Sequence, residues 1–177
     1  MTYTQHYDSP LGGILLAADD VGLTGLWFDG QKYFARGLSN ERIAHETSVL
    51  AEAKRWLDIY FTGKEPDFTP PLHPIGSAFR RSVWEILLQI PYGQTTTYGE
   101  IARQLSKKQG LERMSAQAVG GAVGHNEISI IIPCHRVVGA DGNLTGYAGG
   151  IGKKEKLLEL ERADMSRFFV PKKGTAL

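Results

Sequence analysis

Apolar and polar positions change period along this chain. The first third holds three short apolar runs, "YTQHYDS", "GGILLAAD" and "GLTGLWFD", separated by "SPLGG" and "DDVG". Gly, Pro and Asp at this spacing predict antiparallel strands joined by tight turns. The period then becomes helical. In "ETSVLAEAKRWLDIYFTGK", Leu50, Ala53, Leu57, Tyr60 and Phe61 predict one helix, Trp56 widens its apolar face, and Gly63 stands at a C-terminal cap position. "KEPDFTPPLHPIGS" carries four prolines and reads as an extended linker. We place the domain boundary there, with an N-terminal domain over 1–70 and a C-terminal domain over 75–177.

Just beyond the linker the pattern turns helical. "AFRRSVWEILLQI" puts Phe79, Val83, Trp84, Leu87 and Leu88 on one face, and "PYGQ" stops it. "TTYGEIARQL" and "SAQAVGGAVGH" predict two further helices. The succession raises a helix-turn-helix reading, although short helices are common in any α-rich domain. The last of the three is unusual, with Ala116, Ala118, Gly120, Gly121, Ala122 and Gly124. Glycine in a helix costs about 1 kcal/mol relative to alanine. Such a helix is expected to pack closely on a neighbouring helix, or to let a ligand or groove approach its backbone. It has no row of long side chains with which to read base edges. Its N-terminus, near Ser115, is suited to a phosphate.

Composition narrows the classes. The 177 residues are 42% hydrophobic and 22% charged, with a net charge of +1. A nucleic-acid site must therefore be a local patch. No apolar run approaches the length of a membrane span, and the N-terminus does not read as a signal peptide. A cytoplasmic protein is expected. The single cysteine excludes an intramolecular disulfide and a multi-cysteine zinc site.

That cysteine, Cys134, follows the most strand-like segment of the chain, in "ISIIIPCHRVVG". A lone cysteine is usually a small buried hydrophobe. Beside His135 it is also a candidate nucleophile, which needs a base and an orienting acid. Neighbours in a strand face opposite ways, so the two cooperate only on a turn after Pro133 or through a water. Glu155, Glu159 and Glu161 in "KKEKLLELERA" are candidate acids, and spacing does not choose among them. A cysteine hydrolase would bring thiol and imidazole from distant positions, which the adjacency here disfavours.

These residues resemble the O6-alkylguanine-DNA alkyltransferases. "PCHRVVG" with "GHN" upstream carries the likeness. "FRRSVWEILLQIPYGQTTTYGEIA", "SAQAVGGAVGHN" and "GYAGGIGKKEKLLELE" extend it over roughly residues 75 to 165. The resemblance implies an α+β protein: a small antiparallel sheet with one helix, ribonuclease H-like, then a helical winged-helix-like domain containing a helix-turn-helix and a short strand pair. It implies a monomeric DNA repair protein that flips O6-alkylguanine from duplex DNA and moves the alkyl group irreversibly to its own cysteine, without metal or organic cofactor.

By that resemblance Cys134 would be the nucleophile, His135 a base acting through water, and Glu161 the acid that orients it. Asn126 would hold the turn and contact the Cys134 region. Tyr98 would rotate the target phosphate and protonate the departing guanine. Tyr147, Ala148 and Gly149 would form the wall for the flipped base, and carbonyls of Cys134 and Val137 would read its edge. Ser115, Ala116, Gln117, Ala118, Gly120 and Gly121 would lie in the minor groove, with Arg80 among the DNA-binding residues. Two positions depart from the pattern. Gln117 stands where an arginine is usual, and Ala148 where some members have serine. Rival readings are a damage sensor without transfer, which Cys134 argues against, and a sequence-specific regulator, which the small residues of the third helix argue against.

Overall fold

A computed structural model describes residues 1–171; the last six positions of the C-terminal domain expected from sequence lie outside it. The described chain divides into two compact units. One comprises Met1–Ile75 with Glu127–Ile131, the other Gly76–Asn126 with the chain from Ile132 onward.

In the first unit, strands β1 (Thr2–Ser9), β2 (Gly12–Ala18) and β3 (Leu23–Phe28) form the expected antiparallel meander. A short strand not foreseen from sequence, β4 (Arg42–Ala44), pairs parallel to β1, giving the order β3-β2-β1-β4. Alternation in β1 and the apolar runs of β2 and β3 bury one side of this sheet against helix α1 (Ser48–Tyr60). Ile14, Leu16, Leu26, Phe28, Leu50, Leu57 and Tyr60 are fully buried there. Thr47 caps α1 by accepting from the Leu50 amide, a contact of about 1 kcal/mol.

The free edge of β3 is covered twice. Leu23 exchanges backbone hydrogen bonds with the linker: Leu23 N donates to Pro71 O at 2.8 Å and His73 N to Leu23 O at 2.8 Å. The proline-rich segment is thus a sheet-edge cover. Gly22 is required by it, because a Cβ would lie 2.7 Å from Pro71 O. Further along, Leu26 N donates to Glu127 O and Ser129 N to Leu26 O. Covering an edge in this way blocks unwanted strand pairing.

The segment Ile128–Ile132, strand-like in sequence, is not a strand. Ile128 makes one parallel bridge to Leu26, and Ile130 lies at φ +69°. A β-branched residue in the left-handed region costs roughly 1–3 kcal/mol. Burial of the side chains, not a ladder, accounts for the isoleucine run.

In the second unit, α2 (Ala78–Leu87), α3 (Tyr98–Gln109) and α4 (Ala116–Gly124) bury Val83, Trp84, Leu87, Ile101, Leu105, Val119 and Val123 together. Leu88, placed on the apolar face by the sequence pattern, is exposed instead: it is the C-terminal cap residue of α2, where the helical period has ended. Trp84 Nε1 donates 2.9 Å to Ala122 O and ties α2 to α4. Gly110, at φ +66°, closes α3 in a left-handed cap. Strands β5 (Thr96–Thr97) and β6 (Val137–Val138) pair in parallel. Helix α5 (Ile151–Leu160) packs Leu158 on Val138 and Leu144.

Candidate active site

The chain leaves the second unit after Asn126 and returns at Ile132. Asn126 pins both ends of this excursion, its Nδ2 donating 2.8 Å to Ile132 O. Pro133 ends the segment, and Cys134–Arg136 form a single 3-10 turn. The Cys134 amide donates to Ile132 O and the Val137 amide to Cys134 O. Cys134 and His135 are therefore neighbours on a turn, one of the two arrangements that adjacency allows.

Beneath the turn lies a buried ionic cluster. Glu161, the C-terminal cap residue of α5, accepts from His135 Nε2 at 2.6 Å. It also accepts from Arg136 Nε at 2.8 Å, Arg136 Nη2 at 3.1 Å and the Gly93 amide at 3.1 Å. Arg136 Nη1 donates 2.7 Å to Ile90 O. Burial alone would raise the carboxyl pKa; the His135 and Arg136 donors outweigh it and hold Glu161 far below the usual carboxylate range. Burial pushes His135 down, against the pull of Glu161, so the imidazole is neutral. Its Nδ1 is buried without a hydrogen bond to any described protein group. A neutral imidazole with Nε2–H directed to a carboxylate leaves Nδ1 as an acceptor.

Cys134 is 5% exposed. Burial raises its pKa, while a hydrogen bond from the Asn126 side chain and the charge of Lys154 favour the thiolate. Lys154 is a fully buried lysine on α5. Its Nζ donates 2.5 Å to Val137 O and 3.3 Å to Thr145 O. Burial brings its pKa down to about 8, partly countered by Cys134.

The loop before α5 faces the same place. Tyr98 Oη lies 3.4 Å from both Thr145 O and Gly146 O. Burial, with the neighbouring Cys134, pushes its pKa up to about 12, so the phenol keeps its proton. Tyr147 is buried with its ring edge-on to His135 at 6.4 Å. Ala148 and Gly149 are half-buried. Of the carbonyls expected to read a base edge, Cys134 O and Val137 O each already accept one hydrogen bond and retain a second lone pair.

Helix α4 presents its small residues to solvent. Ser115, Ala116, Gln117, Ala118 and Gly121 are exposed, Gly120 half-buried, and Val119, Ala122 and Val123 buried. A Cβ on Gly121 would meet nothing within 4 Å, and one on Gly120 only the Tyr98 ring at 3.8 Å. Tight packing on a neighbouring helix thus does not explain these two glycines. Ser115 caps the helix through the Ala118 amide. A depression beside the helix start is lined by Arg103, Lys107, Arg113, Leu111 and Met114. Arg80 lies in the first turn of α2 and is half-buried.

Two family models cover this chain. The DNA binding domain of 6-O-methylguanine DNA methyltransferase matches residues 78–163, and the ribonuclease-like domain of the same family matches residues 2–74. The chain belongs to the 6-O-methylguanine DNA methyltransferase family. It is 44% identical over 160 residues to a methylated-DNA--protein-cysteine methyltransferase of Methanosarcina acetivorans, covering 90% of this chain and 97% of that one. With the Mycobacterium tuberculosis protein of the same name it shares 42% over 172 residues, covering 95% and 99%. A crystal structure described as Mycobacterium tuberculosis OGT in complex with DNA matches with a TM-score of 0.77 at 42% identity, covering 94% of each chain.

Within this methyltransferase fold, Cys134, His135, Glu161, Asn126 and Tyr98 converge, with Val137 and Tyr147 beside them. Arg136 and Lys154 escaped the sequence reading. For Lys154 a signal existed: Lys154, Leu157, Leu158 and Glu161 follow the spacing of one helical face, and all are buried.

Proposed function

We propose that this chain repairs DNA by taking an alkyl group from O6 of guanine onto Cys134. The observation that carries the proposal is the buried His135–Glu161 pair beside a thiol on a turn, in a chain of this family. His135 Nδ1 accepts the thiol proton through a bridging water. The resulting imidazolium is stabilised by Glu161, whose own pKa is too low for it to take the proton. The Cys134 thiolate attacks the alkyl carbon. The S–C bond forms as the C–O6 bond breaks, and the electron pair goes to guanine O6. Tyr98, protonated at neutral pH, supplies a proton to the departing base. The thioether has no route to hydrolysis here, so each chain acts once.

The target base leaves the duplex to reach the thiol, at a cost of a few kcal/mol for unstacking. The loop at Tyr147, Ala148 and Gly149 receives it. The exposed small residues of α4 let the minor groove approach the backbone, in a helix-turn-helix formed by α3 and α4. Arg103, Lys107 and Arg113 supply the local positive field that the net charge lacks. Gln117 fills the gap left by the flipped base, without the charge of an arginine, and the protein acts as a monomer. Gln117→Arg is expected to tighten duplex binding or speed repair; no change in either would contradict this role.

The test is intact-protein mass spectrometry after incubation with duplex DNA containing O6-methylguanine. One methyl group mapping to Cys134, absent in Cys134→Ser, is expected. Binding without an adduct would mark a damage sensor and refute the transfer reading.

A further inference from the structure

The loop between β6 and α5, residues 139–150, carries Tyr147, Ala148 and Gly149. Its first half is tied to the segment that follows α5. There the chain turns back at Arg162, at φ +57°, with the Ala163 amide donating to Leu158 O. Residues 165–169 then run beside the loop. Phe169 N donates 3.0 Å to Gly142 O and Leu144 N donates 3.1 Å to Phe169 O, so that Asn143 and Phe169 form a parallel bridge. Met165 and Phe168 pack on the buried Val138, Leu144 and Leu158. Gly142, at φ +91°, stands where the two segments cross, and a Cβ there would overlap the Arg167 carbonyl oxygen. Backbone pairing, apolar packing and a glycine without room for a side chain thus all fix the same crossing.

The bridge leads straight into the wall. Thr145 N donates 2.8 Å to Asn143 Oδ1, the Thr145 and Gly146 carbonyls face the Tyr98 hydroxyl, and the buried Tyr147 follows. A shift of Leu144 is therefore passed along the backbone to Tyr147. The Cys134 turn is held by different contacts, from Asn126 to Ile132 O and from Arg136 to Glu161.

We infer that residues 165–169 are a brace for the loop that receives the flipped base, and that Phe168 is its main positioning residue. The brace sets where the base comes to rest and leaves the thiol alone. The loop's part in this rests on the function proposed above.

The test uses the full chain and compares wild type with Phe168→Ala, Phe169→Pro and Phe169→Ala. The Phe169 side chain is 45% exposed. Phe169→Ala keeps both bridge hydrogen bonds, whereas Phe169→Pro removes the donor to Gly142 O. The readouts are affinity for undamaged duplex, the rate of Cys134 alkylation by iodoacetamide, and single-turnover methyl transfer at saturating O6-methylguanine duplex. Phe168→Ala is expected to slow saturated transfer about tenfold or more, because a small misplacement of the reacting group is costly. Phe169→Pro is expected to slow it about threefold or more, the loss of one hydrogen bond, with Phe169→Ala at the wild-type rate. Duplex affinity and the iodoacetamide rate are expected to stay at wild-type values in all three variants. General loosening of the fold would instead raise the iodoacetamide rate, since Cys134 is buried. That result would overturn the inference, as would wild-type transfer in Phe168→Ala, or equal transfer in Phe169→Pro and Phe169→Ala. If Phe168→Ala does not fold, the two Phe169 variants decide. Wild type that takes no methyl group would refute the proposed function; wild type that transfers, with variants that match it, would refute the brace alone.

Discussion

Two histidine–carboxylate pairs in this molecule have the same length and opposite surroundings. In the first unit, His73 Nδ1 lies 2.6 Å from Asp19, with side chains 41% and 24% exposed. In the second, His135 Nε2 lies 2.6 Å from Glu161, with both side chains fully buried. Asp19 also accepts from the Val21 and Gly22 amides, which makes it a turn residue that fastens the linker histidine to the β2–β3 connection. Glu161 anchors a histidine, an arginine and a backbone amide at once. Distance alone therefore says little. Water screens the first pair and leaves a modest surface contact. Exclusion of water turns the second into a cluster from which neither Glu161 nor Arg136 can be removed singly without stranding a charge.

The largest expected effect follows from that last point. Glu161→Gln leaves Arg136 and His135 without their anion in a buried site. It is expected to cost about 3–5 kcal/mol of stability, read by chemical denaturation, and to slow methyl transfer by two orders of magnitude or more, on the order of a lost general base. If stability and rate both stayed near wild type, the buried cluster would not be the working one.

Acid separates the pairs next. Both carboxyls have folded pKa values lowered from their ordinary ones. Each therefore contributes stability that is present above the unfolded carboxyl pKa, near 4, and is lost as pH falls through the folded value. Because Glu161 is lowered far more, most of the loss below about pH 5 should vanish in Glu161→Gln and persist in Asp19→Asn. Denaturation curves at pH 7 and pH 3 on both variants would check this; equal slopes in the two would contradict it.

The smallest effect belongs to the exposed pair. Asp19→Asn keeps an oxygen for the turn amides and should cost less than about 1 kcal/mol, with methyl transfer unchanged. A change in transfer rate would contradict the purely local role of this pair.

Much of the fold was legible in the chain itself, although the pairing of His73 with Asp19 was not. The three-strand meander and α1 follow from period and punctuation, and "PCHRVVG" singled out Cys134 and His135. The choice of Glu161 over Glu155 and Glu159 was not legible from spacing alone. Glu161 is buried because it ends the face begun by Lys154, Leu157 and Leu158, whereas Glu159 points to solvent and Glu155 is half-buried. Lys154 was passed over because "KKEKLLELE" reads as a solvated helix, and lysines are rarely buried. The isoleucine run misled for another reason. Consecutive apolar residues signal burial, not backbone geometry, and Ile130 takes a left-handed conformation that no strand pattern announces. The edge cover formed by residues 71–73 and 127–129 is a matter of long-range pairing, which local sequence does not carry.

The most direct test of the whole account is a count. Protein at known concentration is mixed with a large excess of duplex DNA containing O6-methylguanine, and repaired guanine is measured until the reaction stops. The account predicts a plateau at one repaired lesion per chain, and none with Cys134→Ser. Repair that continues past one lesion per chain, or that survives in Cys134→Ser, would contradict it.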